Sequence, residues 1–309
     1  MLEKTILFDL CHNEMLNIEE EEFSDFKKLL QKSNMKVKTN KSDSLTKSDI
    51  QNADILVIGN PIDDYFSVQE IKLICDFVRI GGNLILISEY GADFLQKTNL
   101  NDLSGKNFGM YFEKNLVKEL NNGKDSSTIH IKDFEQNEVT NGLRELAIGG
   151  TCSIFLNKGS RALIETSEKN VWPEIFNSSK EEWIKEKEQK QILAACTEYG
   201  QGKILAFGDI DIFTNDSKIG INAFDNQQYL QNSFDWLVLE VKEPNVMKYT
   251  LNQLGELQNE AKEINNTINN IIETMTILEK RISHIEQKLN FSLSKESDSK
   301  ASSEIQEED

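Results

Sequence analysis

Histidine is scarce in this 309-residue chain, which has three: His12, His130 and His284. Nucleophilic catalysis needs an attacker, a base and a group that orients the base, so this scarcity leaves few arrangements. His284 falls in a heptad segment and His130 in the strand-like "TIHIKD", which leaves His12 as the candidate base. Cysteine is sparse too. Cys11, Cys75, Cys152 and Cys196 lie far apart, form no C-x-x-C pair and read as reduced, mostly buried thiols rather than a metal or disulfide set. Phosphate-cradling glycine patterns are missing, with no G-x-G-x-x-G after the first strand and no P-loop. No cofactor is expected.

Positive charge is also in short supply: 34 Lys and Arg face 52 Asp and Glu, a net charge of −18. A nucleic-acid partner needs a Lys/Arg surface, so that class is excluded, and docking on an anionic membrane is disfavoured in the same way. Long hydrophobic runs are absent. Nothing approaches the ~20 apolar residues of a membrane span, and the apolar start of "MLEKTILFDL" is too short for a signal peptide. The expectation is a cytoplasmic protein without direct membrane insertion.

What is present is an alternation of strand and helix signals. "KTILFDL" (4–10), "MKVKT" (35–39), "ADILVIGNP" (53–61) and "NLILIS" (83–88) read as strands, the second of them an edge strand. Between them lie a helical pattern over 19–33 and a helix opening at Ser67, where Glu70 completes a capping box and Gly81-Gly82 ends the helix. Short connections of this kind call for an α/β fold, a mostly parallel, Rossmann-like sheet flanked by helices. Beyond residue 105 the pattern becomes β-rich, and 168–190, full of Lys and Glu, reads as an exposed excursion. "QILAACTEYGQGKILAFGDIDIF" then predicts a hairpin about Tyr199 to Gly202, and an amphipathic helix follows Asp225-Asn226.

Past Pro244 the character changes. Leu254, Leu257, Ala261, Ile264, Ile268, Ile271, Met275, Leu278, Ile282, Ile285 and Leu289 recur at alternating steps of three and four. This is the spacing of a long C-terminal coiled-coil helix, with Ala261, Ile268, Met275 and Ile282 among its a positions. The expected organisation is an α/β domain over 1–243, a coiled-coil helix over 244–290 that joins copies of the chain or a protein partner, and a disordered acidic tail over 291–309.

In parallel sheets the working surface lies beyond the C-terminal strand ends. Four polar corners are expected to converge there: Asp9/His12/Asn13/Glu14, Asn60/Asp63/Asp64, Glu89/Tyr90/Asp93 and Asp209/Asp211/Asn215. Such a set of side chains can cap the following helices, hold a divalent ion through oxygen ligands, or hydrogen-bond a sugar. Asp9, His12, Asn13, Glu14, Asn60, Glu89, Tyr90, Asp209 and Asp211 are the candidate ligand-binding residues.

"FDLCHNE" (8–14), the stretch from Ile58 to Asp93, "TNLNDLSGKNFGMYFEKNLV" (98–117), "YGQGKILAFGDIDIFTND" and "DNQQYLQNSFDWL" together resemble the GIFT domain. That domain is found at the N-terminus of an intraflagellar transport core subunit and in gliding-motility transporter auxiliary proteins. The resemblance spans roughly residues 4–240. It implies a fold similar to class I glutamine amidotransferases, in which the strand at 83–88 leads to an elbow bearing a catalytic Cys. Here the elbow falls at Glu89-Tyr90, so the resemblance implies binding of protein or carbohydrate rather than catalysis. A metal-assisted hydrolase built on the carboxylates, or a soluble accessory subunit of an ABC-type transporter, is the alternative.

Overall fold

A computed structural model describes residues 3–40, 42–157, 159–239 and 261–285. Contacts divide the chain into two units, 1–242 and 243–309.

The first unit opens with β1 (Lys4–Phe8), α1 (Ser24–Lys32), β2 (Met35–Thr39), a short α2 (Lys47–Ile50), β3 (Ile55–Gly59), α3 (Val68–Arg79) and β4 (Asn83–Ile87). α4 (Ala92–Gln96) and α5 (Leu100–Phe108) follow. Then come β5 (Met110–Phe112), β6 (Asn115–Asn121), β7 (Lys124–Ser126), β8 (Ile129–Ile131), β9 (Leu146–Ile148) and β10 (Ile154–Leu156). The unit closes with β11 (Arg161–Glu165), β12 (Val171–Asn177), β13 (Glu182–Lys185), β14 (Ile192–Tyr199), β15 (Gly202–Phe207) and α6 (Asn226–Val238).

Seven strands form the main sheet in the order β11-β14-β15-β4-β3-β1-β2. The five strands from β15 to β2 run parallel, whereas β14 and β11 are antiparallel to their neighbours. The apolar runs are long because both faces are covered. Ile6, Phe8, Ile55, Val57, Ile85 and Ile87 pack on one face with Phe26 and Leu30 of α1 and Tyr229 and Phe234 of α6. Leu7, Leu56, Ile58, Leu84 and Leu86, alternating with them, pack on the other with Ile74, Phe77 and Val78 of α3 and Leu103 of α5. The β14–β15 hairpin turns on Gly200 at φ +62°, where a Cβ would stand 2.4 Å from the Arg79 carbonyl. Close approach matters also at Gly59, whose Cβ would meet that of Leu16 at 2.5 Å.

Segment 168–190 corrects the sequence reading. It is a hairpin, β12–β13, in a four-stranded sheet with β6 and β7, not an exposed excursion. Val171 and Trp172 are buried, and the Lys185 ammonium lies 3.2 Å above the Trp172 ring. The abundant Lys and Glu of the segment hide its few anchoring apolar residues, and the lysine stems cover apolar surface.

The second unit is described over 261–285, which is helical throughout. Leu254, Leu257, Leu289 and the acidic tail lie outside the described residues. Among the described residues no helix is long and apolar enough to cross a membrane.

Candidate functional site

The candidate residues lie beyond the C-terminal ends of the parallel strands β1, β3, β4 and β15, and two groups of them stand out there.

The first follows β1. Asp9 donates its backbone N–H to the Val57 carbonyl, which fixes the start of the loop, and the next turn folds His12 back over it. His12 Nδ1 lies 2.8 Å from Asp9 Oδ2 and 3.6 Å from Glu14 Oε1, while Glu14 Oε2 accepts the His12 backbone N–H at 3.0 Å. On the other side of the ring, Nε2 stands 3.3 Å from Glu70 Oε1. Phe66 packs against the imidazole with ring centroids 4.0 Å apart. Glu70 itself is pinned at the N-terminus of α3, where it accepts Ser67 N–H (2.9 Å), Ser67 Oγ–H (2.7 Å) and Leu45 N–H (2.9 Å).

Asp9, His12, Glu14 and Glu70 are all buried. Burial works against the imidazolium, yet the hydrogen bonds and charges of Asp9 and Glu14 outweigh it and carry the His12 pKa up to about 10. Asp9 is lowered because its bond to His12 overcomes its own burial. Burial dominates at Glu14, which is raised to about 7. Asn13, at φ +53°, is exposed and reaches only the Ile62 carbonyl, at 3.5 Å. Asn60 is buried with its Nδ2 donating to Met15 Sδ and its Oδ1 without a partner.

The second group combines Glu89 after β4 with Asp209 and Asp211 after β15, their carboxylate oxygens lying within 4.8 Å of one another. Tyr90 N–H donates to Glu89 Oε1 at 3.0 Å, and the N–H groups of Asp211 and Ile212 donate to Asp209 at 2.8 and 3.2 Å. A Gly149-Gly150 loop closes over these carboxylates. A Cβ on Gly150 would stand 3.1 Å from Glu89 Oε1, and one on Gly149 2.8 Å from Asp211 Oδ2. Among the described residues no Lys, Arg or His forms a salt bridge with this group. Burial and then the charge of Asp209 push Glu89 up to about 10, and burial with Asp211 raises Asp209 well above the usual range. At neutral pH the group therefore retains protons that isolated carboxylates would have lost. Tyr90 is exposed beside it, 6.1 Å from Trp183 and edge-on to that ring.

The other corner residues serve the backbone. Asp93 accepts the Asn101 N–H, and Asn215 accepts the Asp25 N–H in the first turn of α1 while donating to Glu21 O and Ser24 Oγ. Asp63 is exposed and pairs with Lys97, and Asp64 accepts the Tyr65 N–H. Glu70 and the Gly149-Gly150 loop belong to the two groups and were not among the candidates. Glu70 carried a capping-box signal, but nothing in the spacing showed that its second oxygen faces His12. The thiols are unsuited to attack: burial and Asp9 raise Cys11 to about 12, and burial raises Cys75 and Cys196 to about 11.

A mostly parallel sheet ending in polar corners defines a class: an α/β domain with an acidic strand-end edge. The family model of the IFT52 GIFT domain matches residues 5–148, so the resemblance to the GIFT-domain family holds over that stretch. The structure titled "mmIFT52 N-terminal domain" is similar at 16% identity and a TM-score of 0.63, covering 78% of this chain and 100% of that one. A cytoplasmic protein of Salmonella typhimurium LT2 also matches, at 16% identity and TM-score 0.45 over 76% of this chain and 98% of its own. A ThuA-like protein of Parabacteroides merdae ATCC 43184 matches at 12% identity and TM-score 0.45 over 78% and 92%. No curated protein matches the sequence.

Proposed function

We propose that residues 1–243 are a non-catalytic binding module of the GIFT type, working in the cytoplasm, and that the helix within 244–290 assembles it with further copies of itself. The observation that carries the first half is the elbow after β4. It presents Glu89 and Tyr90 where an amidotransferase needs a thiol, and the carboxyl of Glu89 is engaged by the Tyr90 N–H. The second half rests on helix 261–285, where Ile264, Ile268, Ile271, Met275, Leu278, Ile282 and Ile285 are 47–61% exposed along one seam. That helix carries three basic residues (Lys262, Lys280, Arg281) and three acidic ones (Glu263, Glu273, Glu279), so copies of a strongly acidic chain can meet along it without mutual repulsion.

Purified protein incubated with glutamine is expected to release no ammonia. Release that disappears in Cys11→Ser would overturn the non-catalytic reading. A sugar at the Glu89/Tyr90/Asp209/Asp211 edge is the second reading, favoured by exposed Tyr90 beside Trp183, since aromatic faces and carboxylates together suit a polyol ring. Its sign is a saccharide-induced rise in melting temperature that Glu89→Gln weakens, and the absence of any such rise over a panel of neutral sugars removes it.

A further inference from the structure

Glu14 Oε1 is a buried carboxylate oxygen without a hydrogen-bond partner, and its side chain is 0% exposed. The counter-charge it has is the His12 ring, beyond ordinary hydrogen-bond length at 3.6 Å, and a buried charge so loosely paired is costly. It points at the His12 ring, with Nδ1 3.6 Å away, and Asp9 Oδ2 lies 2.8 Å from the same nitrogen. Two donor atoms bound to one zinc-class ion at about 2.0–2.2 Å stand roughly 3–3.5 Å apart, and these separations bracket that range. The far side of the ring completes the pattern. A metal-bound histidine ordinarily gives its other N–H to a carboxylate that fixes the ring. Here Nε2 faces Glu70, itself held by Ser67 and Leu45. The second carboxylate group lacks these features. It has no histidine, and among the described residues it holds no buried oxygen left without a partner.

We infer that Asp9, His12 and Glu14 bind a single divalent cation of the zinc class through Asp9 Oδ2, His12 Nδ1 and Glu14 Oε1, with Glu70 as the positioning residue. One imidazole and two carboxylates are a donor set that a borderline ion accepts. The ion takes the place of the Nδ1 proton, which leaves to solvent, and gives Glu14 Oε1 a direct bond in place of its long contact with the ring. The role is structural: the ion ties the loop after β1 to the start of α3. This inference does not depend on the assembly reading.

The test uses the full chain, stripped with a chelator and dialysed, then titrated with Zn²⁺ alone by calorimetry and followed by thermal unfolding. The expected result is one tightly bound equivalent and a raised melting temperature. Glu14→Gln should weaken the affinity at least tenfold, whereas Glu89→Gln and Cys11→Ser should leave it unchanged. Wild type that binds no Zn²⁺ at micromolar concentration overturns the inference without reference to any variant, and leaves an imidazolium caged by carboxylates. Binding that survives Glu14→Gln but is lost in Glu89→Gln overturns it by placing the ion in the other group. Circular dichroism of each variant confirms that lost binding is not lost folding.

Discussion

Isoleucine is used in opposite ways in the two units. In the first, Ile6, Ile55, Ile58, Ile74, Ile85, Ile87 and Ile204 are each 0% exposed. In helix 261–285, Ile264, Ile268, Ile271, Ile282 and Ile285 are 61, 47, 53, 56 and 55% exposed. Burying such a side chain fully stabilises by about 1.5–3 kcal/mol, so the α/β unit collects this energy within one chain. In the proposed assembly, the helix collects it against a second copy. Most helical stability in proteins comes from packing an apolar face rather than from propensity, and a regular seam at steps of three and four is the feature that a second copy can match. Under the proposed function, the contrast is between a domain with its own core and an element completed by assembly.

The largest effect should come from breaking the seam. Ile268→Asp combined with Ile282→Asp puts charges at two a positions and should abolish self-association, while the melting temperature of the α/β unit stays within about 2 °C, since neither residue belongs to its core. Light scattering and calorimetry on the same sample read both.

A core substitution should do the reverse. Phe26 packs against Phe8, Phe213 and Phe234 at ring-centroid distances of 6.0, 5.0 and 5.6 Å. Phe26→Ala is expected to cost about 3–5 kcal/mol, read as a lowered urea midpoint.

The third effect depends on pH. Burial and the charge of Asp209 raise the Glu89 pKa to about 10 in the folded state from its ordinary 4.5. Between those values the folded chain binds more protons than the unfolded one, so this group's contribution is full below the lower value and is lost as pH rises through the upper one. Glu89→Gln removes that dependence. Its melting temperature should exceed the wild type's at pH 9, and by less at pH 5. An equal difference at both pH values would show that Glu89 is not held protonated.

The smallest effect concerns a cap. Ser67 Oγ accepts the Glu70 N–H at 3.2 Å, and Ser67→Ala should cost about 0.5–2 kcal/mol of stability in chemical denaturation.

The sheet was legible because β3 and β4 are continuous apolar runs bounded by Asn60-Pro61 and Gly81-Gly82, and because Ser67-x-x-Glu70 marks a helix start in the sequence itself. β12 and β13 were not, since their anchors, Val171 and Trp172, sit among lysines and glutamates whose burial depends on strands formed 50 residues earlier. The grouping of Asp9 with His12 and Glu14 is local, as two- and three-residue spacings fold back on one turn. Glu70 reaches that turn, and Gly149-Gly150 reaches Glu89, through tertiary packing that no local spacing records. Whether an acidic corner caps a helix or faces a neighbour depends on which backbone N–H groups the fold brings near it. Asp93 and Asn215 found such groups, and Glu14 Oε1 did not.

Sedimentation equilibrium of the full chain at micromolar concentration tests the account most directly. The expected mass is that of two or more 35.3 kDa chains, falling to a single chain in the Ile268→Asp, Ile282→Asp variant. A wild type that sediments at 35.3 kDa across the concentration range would contradict it.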